Sequence, residues 1–276
     1  MIFNKLIINA CLTGIVPTKK DTPHVPVTPA EIARDAKKVY DLGASIVHIH
    51  ARERNGNPSH KKEIYREIIG RIRDHCDDII ITVSTSGRRV RDIRKRMEVL
   101  ELEGEFKPDM GSLTLGSLNF KEDISINSPE TIQLLLTTMQ KAGIKPELEI
   151  FDTGMASYAR YLIDKCDLKT PCYANLILGS LGTMTAAPAN LVHLVGELPE
   201  KTIWAGTGIG RFAFSVQCLS LAMGGQIRVG IEDSIYMDHD REKATNRKLV
   251  ERVVRAAEAM GRIPATPTEV REILEF

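Results

Sequence analysis

His48 and His50 stand one residue apart in the run ASIVHIHA (44–51). Alternate side chains of an extended strand share a face, so an H-x-H pair sets two imidazoles about 6.5–7 Å apart at Cα, close enough to chelate one ion. The plain alternative is two hydrogen-bonded interior histidines. Glu232, in QIRVGIED (226–233), falls on the same interior face. Two histidines and a carboxylate with one position open form a catalytic zinc set, which iron or manganese could also use. Arg228 and Asp233 flank Glu232. They read either as an ion pair closing a seam or as a dyad in which the aspartate takes a proton and the arginine orients it. Glu147 and Glu149 share one face of PELEIFD (146–152), and such neighbours need a cation, a shared proton or a metal. Glu149, nearer the C-terminal end of the run, is the stronger site candidate of the two.

Small hydroxyls and a glycine follow the third apolar run as Ser84-Thr85-Ser86-Gly87. They offer hydrogen bonds and close backbone approach to a carboxylate or phosphate, or else form a simple turn. Among the basic residues that come next, Arg88 is near enough to meet an anion. The remainder, through Arg89, Arg91, Arg94, Lys95 and Arg96, reads mostly as the solvated face of a helix. GTGIGR (206–211) follows the seventh run and is expected to open a helix. Its glycine spacing is not a dinucleotide fingerprint, which leaves a generic turn or a contact for phosphate or coenzyme A. No G-x-S-x-G elbow is present and Ser84 has no histidine base assigned, which argues against covalent serine catalysis. Cys11 reads as a satisfied buried thiol.

Eight short β-rich runs hold these residues: 5–12, 44–51, 78–85, 109–116, 146–152, 172–179, 201–208 and 226–233. Helical spacings of three and four separate them, with Thr28-Pro29 and Ser128-Pro129 as helix starts. Eight strand–helix units in this length predict a single (β/α)8 barrel over 1–276, with its active site at the C-terminal mouth of the strands. Alternation then sends Val47, Ile81, Leu113, Leu148 and Val229 toward the helices. It sends Asn9, His48, His50, Thr82, Ser84, Ser112, Thr114, Glu147, Glu149, Arg228 and Glu232 inward. A barrel interior is ordinarily apolar, so this polar set marks a site. The segment 13–27 becomes a covering loop at that mouth.

Composition narrows the function class. In 276 residues, 43% are hydrophobic, which excludes disorder. A net charge of +1 argues against a nucleic-acid binder. Five scattered cysteines without a C-x-x-C pair suit a reducing compartment. No signal peptide or membrane span is legible, so the expectation is a cytoplasmic protein.

Several long landmarks stand in one order: NACLTG (9–14), VHIHAR (47–52), STSG (84–87), SLTLGSLNF (112–120), PELEIFDTGM (146–155), GTGIGR (206–211) and GGQIRVGIEDS (224–234). With them the chain resembles the beta-keto acid cleavage enzymes over essentially its whole length. That resemblance implies a zinc-dependent (β/α)8 enzyme, usually a homotetramer, which condenses a β-keto acid with acetyl-CoA and releases acetoacetate and a new acyl-CoA. It implies His48, His50 and Glu232 as metal ligands and Arg228 and Asp233 as the proton-abstracting pair. Ser84, Ser112, Thr114 and Glu149 are implied at the substrate, where the turn also places Gly87. The family's lysine-fermentation member carries a glutamate in the loop after the first strand for a substrate ammonium group, and Val16 stands there here. A neutral, apolar or anionic substrate is therefore expected, with Arg88 as the anion partner. Two alternatives are a CoA-independent zinc lyase or hydrolase on the same barrel, and a binding barrel whose metal is structural.

Overall fold

A computed structural model describes residues 4–121 and 123–276. Eight parallel strands close into one barrel in chain order: β1 (Ile8–Cys11), β2 (Ile46–Ile49), β3 (Ile80–Val83), β4 (Met110–Thr114), β5 (Lys145–Ile150), β6 (Cys172–Leu178), β7 (Thr202–Gly208) and β8 (Gln226–Val229). Each falls on one of the eight expected runs, and only β5 begins outside its run, one residue early at Lys145. The first run divides: Lys5–Leu6 leaves the barrel and pairs with Ile263–Pro264. The last one stops early, so Glu232 and Asp233 sit on the turn beyond β8 rather than in it.

Two helices begin where the sequence signals them. Thr28 forms a full capping box for α1 (Pro29–Tyr40), and α2 is Lys62–Arg73. The basic run after Gly87 yields only the short α3 (Ile93–Met97). Ser128 caps α4 (Pro129–Ala142), followed by α5 (Thr153–Cys166), α6 (Pro188–Gly196), α7 (Ala213–Ala222), α8 (Asn246–Ala259) and α9 (Pro267–Leu274).

Alternation along the strands separates two apolar regions. Outward residues such as Val47, Ile81, Leu113, Leu148 and Val229 are buried against the helices. Inward residues at the N-terminal end, Ile7, Ile46, Ile80, Met110, Tyr173 and Ala205, form their own cluster with Val270 and Leu274 of α9. This helix closes the bottom of the barrel. Two residues further along the same strands, the inward positions become Asn9, His48, Thr82, Ser112, Asn175 and Thr207, all buried. The chemistry of the interior thus changes within one step of the strand repeat, from a sealed apolar floor to a polar layer below the mouth.

Candidate active site

His48 is fixed from the polar layer. Its Nδ1 lies 2.6 Å from Oε2 of Glu147, and the other oxygen of that carboxylate accepts a hydrogen bond from Asn9 Nδ2 at 2.5 Å. Both His48 and Glu147 are fully buried. A carboxylate on the far nitrogen of an imidazole fixes its tautomer and leaves the other nitrogen as a ligand. That nitrogen, Nε2, lies 3.2 Å from Nε2 of His50. Glu232 completes the group, with Oε1 3.3 Å from His50 Nε2 and Oε2 4.0 Å from His48 Nε2. Oε2 is buried and accepts no hydrogen bond among the described residues. Two imidazole nitrogens turned on one point beside an orphaned carboxylate oxygen are a donor set for a divalent cation. His48 with Glu147 and Glu149 makes a second convergent trio, but it needs the nitrogen that Glu147 already holds.

Arg228 organises the carboxylates. It is only 2% exposed, its Nε donates to Asp233 Oδ2 at 3.0 Å and its Nη2 to Glu232 Oε1 at 2.8 Å. Its Nη1 reaches Glu149 Oε1 at 3.4 Å, and the other oxygen of Glu149 accepts from Thr114 Oγ1 at 2.6 Å. One guanidinium therefore meets three acids. Burial raises the Asp233 carboxyl above its usual range, more than Arg228 lowers it. A raised carboxylate is better matched to proton transfer near neutral pH than an ordinary one. Strict alternation would have turned Asp233 away from Glu232. The turn beyond Val229 brings both to the same side, with the Asp233 N–H donating to Gly230 O at 3.1 Å.

A cavity of about 100 Å³ opens onto these groups. His50, Ser84, Thr114, Glu149, Arg228 and Glu232 line it, as the parity argument expects, and Asp233 joins them against that argument. Ile177 of β6 and Ile209, just beyond β7, supply its apolar wall, and Ile15, Val16, Leu118, Phe120 and Phe151 extend that wall outward. Arg88 also lines it, with its guanidinium 3.8 Å from the Phe120 ring and its Nε 2.5 Å from Asp123 Oδ1. Asp123 is shared with Arg89, whose Nε lies 2.8 Å from Oδ2. Two guanidinium groups on one carboxylate leave this rim positive.

Ser112 and Gly87 do not reach the cavity. Ser112 Oγ accepts the Thr85 N–H at 3.1 Å, and its carbonyl accepts from Thr85 Oγ1 at 2.6 Å. A side chain at Gly87 would come within 2.7 Å of Arg96 Nη1 and 2.6 Å of Ile126 O, so this glycine makes room for the arginine. Arg96 itself is buried, not solvated as its run suggests; its Nε donates to Thr85 O at 2.7 Å and its Nη2 to Asn127 Oδ1 at 2.6 Å. The opposite side of this loop rests on His60, whose Nδ1 and Nε2 lie 3.1 Å from Ser84 O and Ser86 O. Sequence reading missed His60 because it lies outside any periodic run. The glycine motif also differs from expectation. Gly206 and Gly208 belong to β7, and a side chain at Gly208 would stand 2.4 Å from Phe212 O, so the glycine admits the turn that precedes α7. Cys11 is fully buried and its thiol is pushed well up by burial, as an inert thiol should be.

Known proteins match this architecture closely. The family model described as beta-keto acid cleavage enzyme matches residues 5–276. A 3-keto-5-aminohexanoate cleavage enzyme of Fusobacterium nucleatum is 40% identical over 273 residues, covering 99% of this chain and 98% of its own. A 3-oxoadipate:acetyl-CoA acetyltransferase of Cupriavidus necator is 32% identical over 271 residues, covering 97% of this chain and 94% of its own. Among solved structures, apo ObcA superimposes with a TM-score of 0.82 at 19% identity, over 92% of this chain and 66% of that one, a likeness of fold.

Proposed function

The chain belongs to the beta-keto acid cleavage enzyme family, and from that premise we propose that it cleaves a β-keto acid against acetyl-CoA, giving acetoacetate and a new acyl-CoA. The observation that carries the reading is the convergence of buried His48 and His50 with partly exposed Glu232 beside the Arg228–Asp233 pair. His48, His50 and Glu232 would hold a divalent ion, zinc in this reading, which when bound supplies Lewis-acid polarisation of the keto oxygen.

The remaining work falls to the chain. Arg228 holds Asp233 by two hydrogen bonds, aiming a carboxylate of raised pKa at the substrate's C2 proton. Loss of that proton gives a carbanion that attacks the acetyl carbonyl of the thioester. The CoA thiolate then adds to the substrate's own keto carbon, and a retro-Claisen step breaks the C2–C3 bond. The balance is R–CO–CH2–COO⁻ plus CH3CO–SCoA giving R–CO–SCoA plus CH3CO–CH2–COO⁻. No protein nucleophile is needed, in keeping with the inert Cys11 and the unpaired role of Ser84. Ser84 offers its hydroxyl to a substrate oxygen, while Thr114, whose hydroxyl donates to Glu149, and Arg228 together fix Glu149 at the cavity edge. Gly87 and Ser112 act through the loop that presents Ser84.

Among the described residues, Val16 and its neighbours Ile15, Leu118 and Phe120 present an apolar surface with no carboxylate of their own for an ammonium group. A neutral, apolar or anionic substrate fits that surface, and a distal carboxylate would meet the positive rim at Arg88. In the same reading the enzyme is a cytoplasmic homotetramer; Leu134, Tyr161, Leu181 and Val192 are exposed apolar side chains available for subunit contact. Among the described residues no helix is long and apolar enough to cross a membrane. The test is a panel of neutral, anionic and amino-bearing β-keto acids with acetyl-CoA, read by acetoacetate and acyl-CoA formation. Turnover of an amino-bearing acid matching the neutral ones would contradict the substrate assignment. No acetoacetate from any member would favour a CoA-independent lyase or hydrolase.

A further inference from the structure

Behind the loops that follow β7 and β8 lies a second cavity, of about 560 Å³. It adjoins the candidate active site directly. Ile209 and Asp233 line the catalytic cavity, their successors Gly210 and Ser234 line this one, and the Gly210 N–H donates to Asp233 O at 2.8 Å. Three arginines face it from three segments: Arg211 from the turn after β7, Arg241 from the loop after β8, and Arg252 from α8. Among the described residues, none of the three forms an ion pair. Each stacks on an aromatic ring instead: Arg211 on Phe212 at 4.8 Å, Arg241 on Tyr236 at 5.2 Å and Arg252 on Phe214 at 4.0 Å. Arg252 Nη1 donates to Met237 O, while its Nε is buried without a hydrogen-bond partner. Among the described residues one carboxylate lines the cavity, Asp238; it accepts the Asp240 N–H at 3.0 Å, and its charge offsets part of the charge of Arg252.

Unpaired guanidinium groups arranged around a cavity are a receptor for phosphate oxygens, because the planar fork matches them and the stacked rings hold it in place. Arg211 is the last residue of the GTGIGR motif. We propose that this groove binds the phosphorylated adenosine end of coenzyme A, placing it behind the β7 and β8 loops so that the thioester arm enters the catalytic cavity past Ile209 and Asp233. The assignment rests on the acetyl-CoA reading for its ligand, while the groove and its charges stand independently of it.

Calorimetric titration of adenosine 3′,5′-bisphosphate into wild-type and Arg211→Gln/Arg241→Gln protein tests the site without any turnover. Saturable binding is expected for the wild type, with 5′-ADP and inorganic phosphate successively weaker. The double variant should bind at least about a hundredfold more weakly, about tenfold for each lost charge-assisted contact. Both side chains are exposed, and an unchanged melting temperature will confirm that the variant is folded. In turnover, KM for acetyl-CoA should rise by a similar factor while KM for the β-keto acid moves less than about twofold. Equal binding by wild type and variant, or none by the wild type, overturns the groove. Bisphosphate binding lost in the variant, with no acetoacetate from any β-keto acid, would instead uphold the groove and overturn the proposed reaction.

Discussion

The two ends of the barrel are built from the same strands and the same inward alternation, yet they do opposite things. At the N-terminal end the inward positions are Ile7, Ile46, Ile80 and Met110, sealed by Val270 and Leu274 of α9. One repeat further the same strands present Asn9, His48, Thr82 and Ser112, and the mouth beyond carries His50, Glu149, Arg228, Glu232 and Asp233. The lower layer gains its stability from apolar burial. The upper one holds charges that are tolerable only because each is paired or shares a partner. Stability and chemistry are therefore separated along the barrel axis, and Glu147, a fully buried carboxylate, ties Asn9 to His48 within the polar layer.

Changes at the two ends should have separable effects, and three measurements probe this. The largest effect is expected from Asp233→Asn, which keeps the shape but removes the base; kcat should fall about 10²–10⁴-fold, with the urea midpoint little lowered. A variant retaining more than a tenth of kcat would mean that the proton leaves by another route. At the floor, Leu274→Ala should cost about 2–5 kcal/mol in denaturant unfolding while kcat/KM stays within about twofold of wild type. An activity loss in step with the destabilisation would show that the ends are not independent. The smallest contrast concerns the loop bearing Ser84. Burial outweighs its backbone hydrogen bonds and holds the His60 pKa down to about 4, against 6.5 for a free side chain. The folded state thus binds the proton less readily than the unfolded state. His60 contributes its full share of stability above about pH 6.5 and loses it as the pH falls toward 4, by at most about 3 kcal/mol. His60→Gln should flatten the stability profile in that window. An unaltered slope would place the acid sensitivity elsewhere.

Much of this was legible from the chain. The period of two carried all eight barrel strands, and the interior parity of His48, His50, Glu147, Glu149 and Arg228 followed from it. Asp233 was reached through its neighbours and a family resemblance, since alternation alone points it the other way; only the turn after Val229 explains its position. Glu149 drew more attention than Glu147 because it lies nearer the mouth, whereas the residue that fixes His48 is the deeper one. Arg96 and His60 were hidden for a different reason. Both hold backbone carbonyls of the loop after β3, and Arg96 also holds the Asn127 side chain; no local spacing encodes contacts of that kind. Gly87 looked like part of a ligand-binding turn and proves to be space for Arg96.

The central claim is that this mouth exchanges acyl groups between a β-keto acid and acetyl-CoA. Acetyl-CoA carrying ¹³C in both acetyl carbons, incubated with an unlabelled β-keto acid, tests it most directly. The account predicts that both labelled carbons appear together in acetoacetate as its methyl and keto carbons, and that the new acyl-CoA is unlabelled. Labelled acetate with free CoA, or label in the acyl-CoA product, would contradict it.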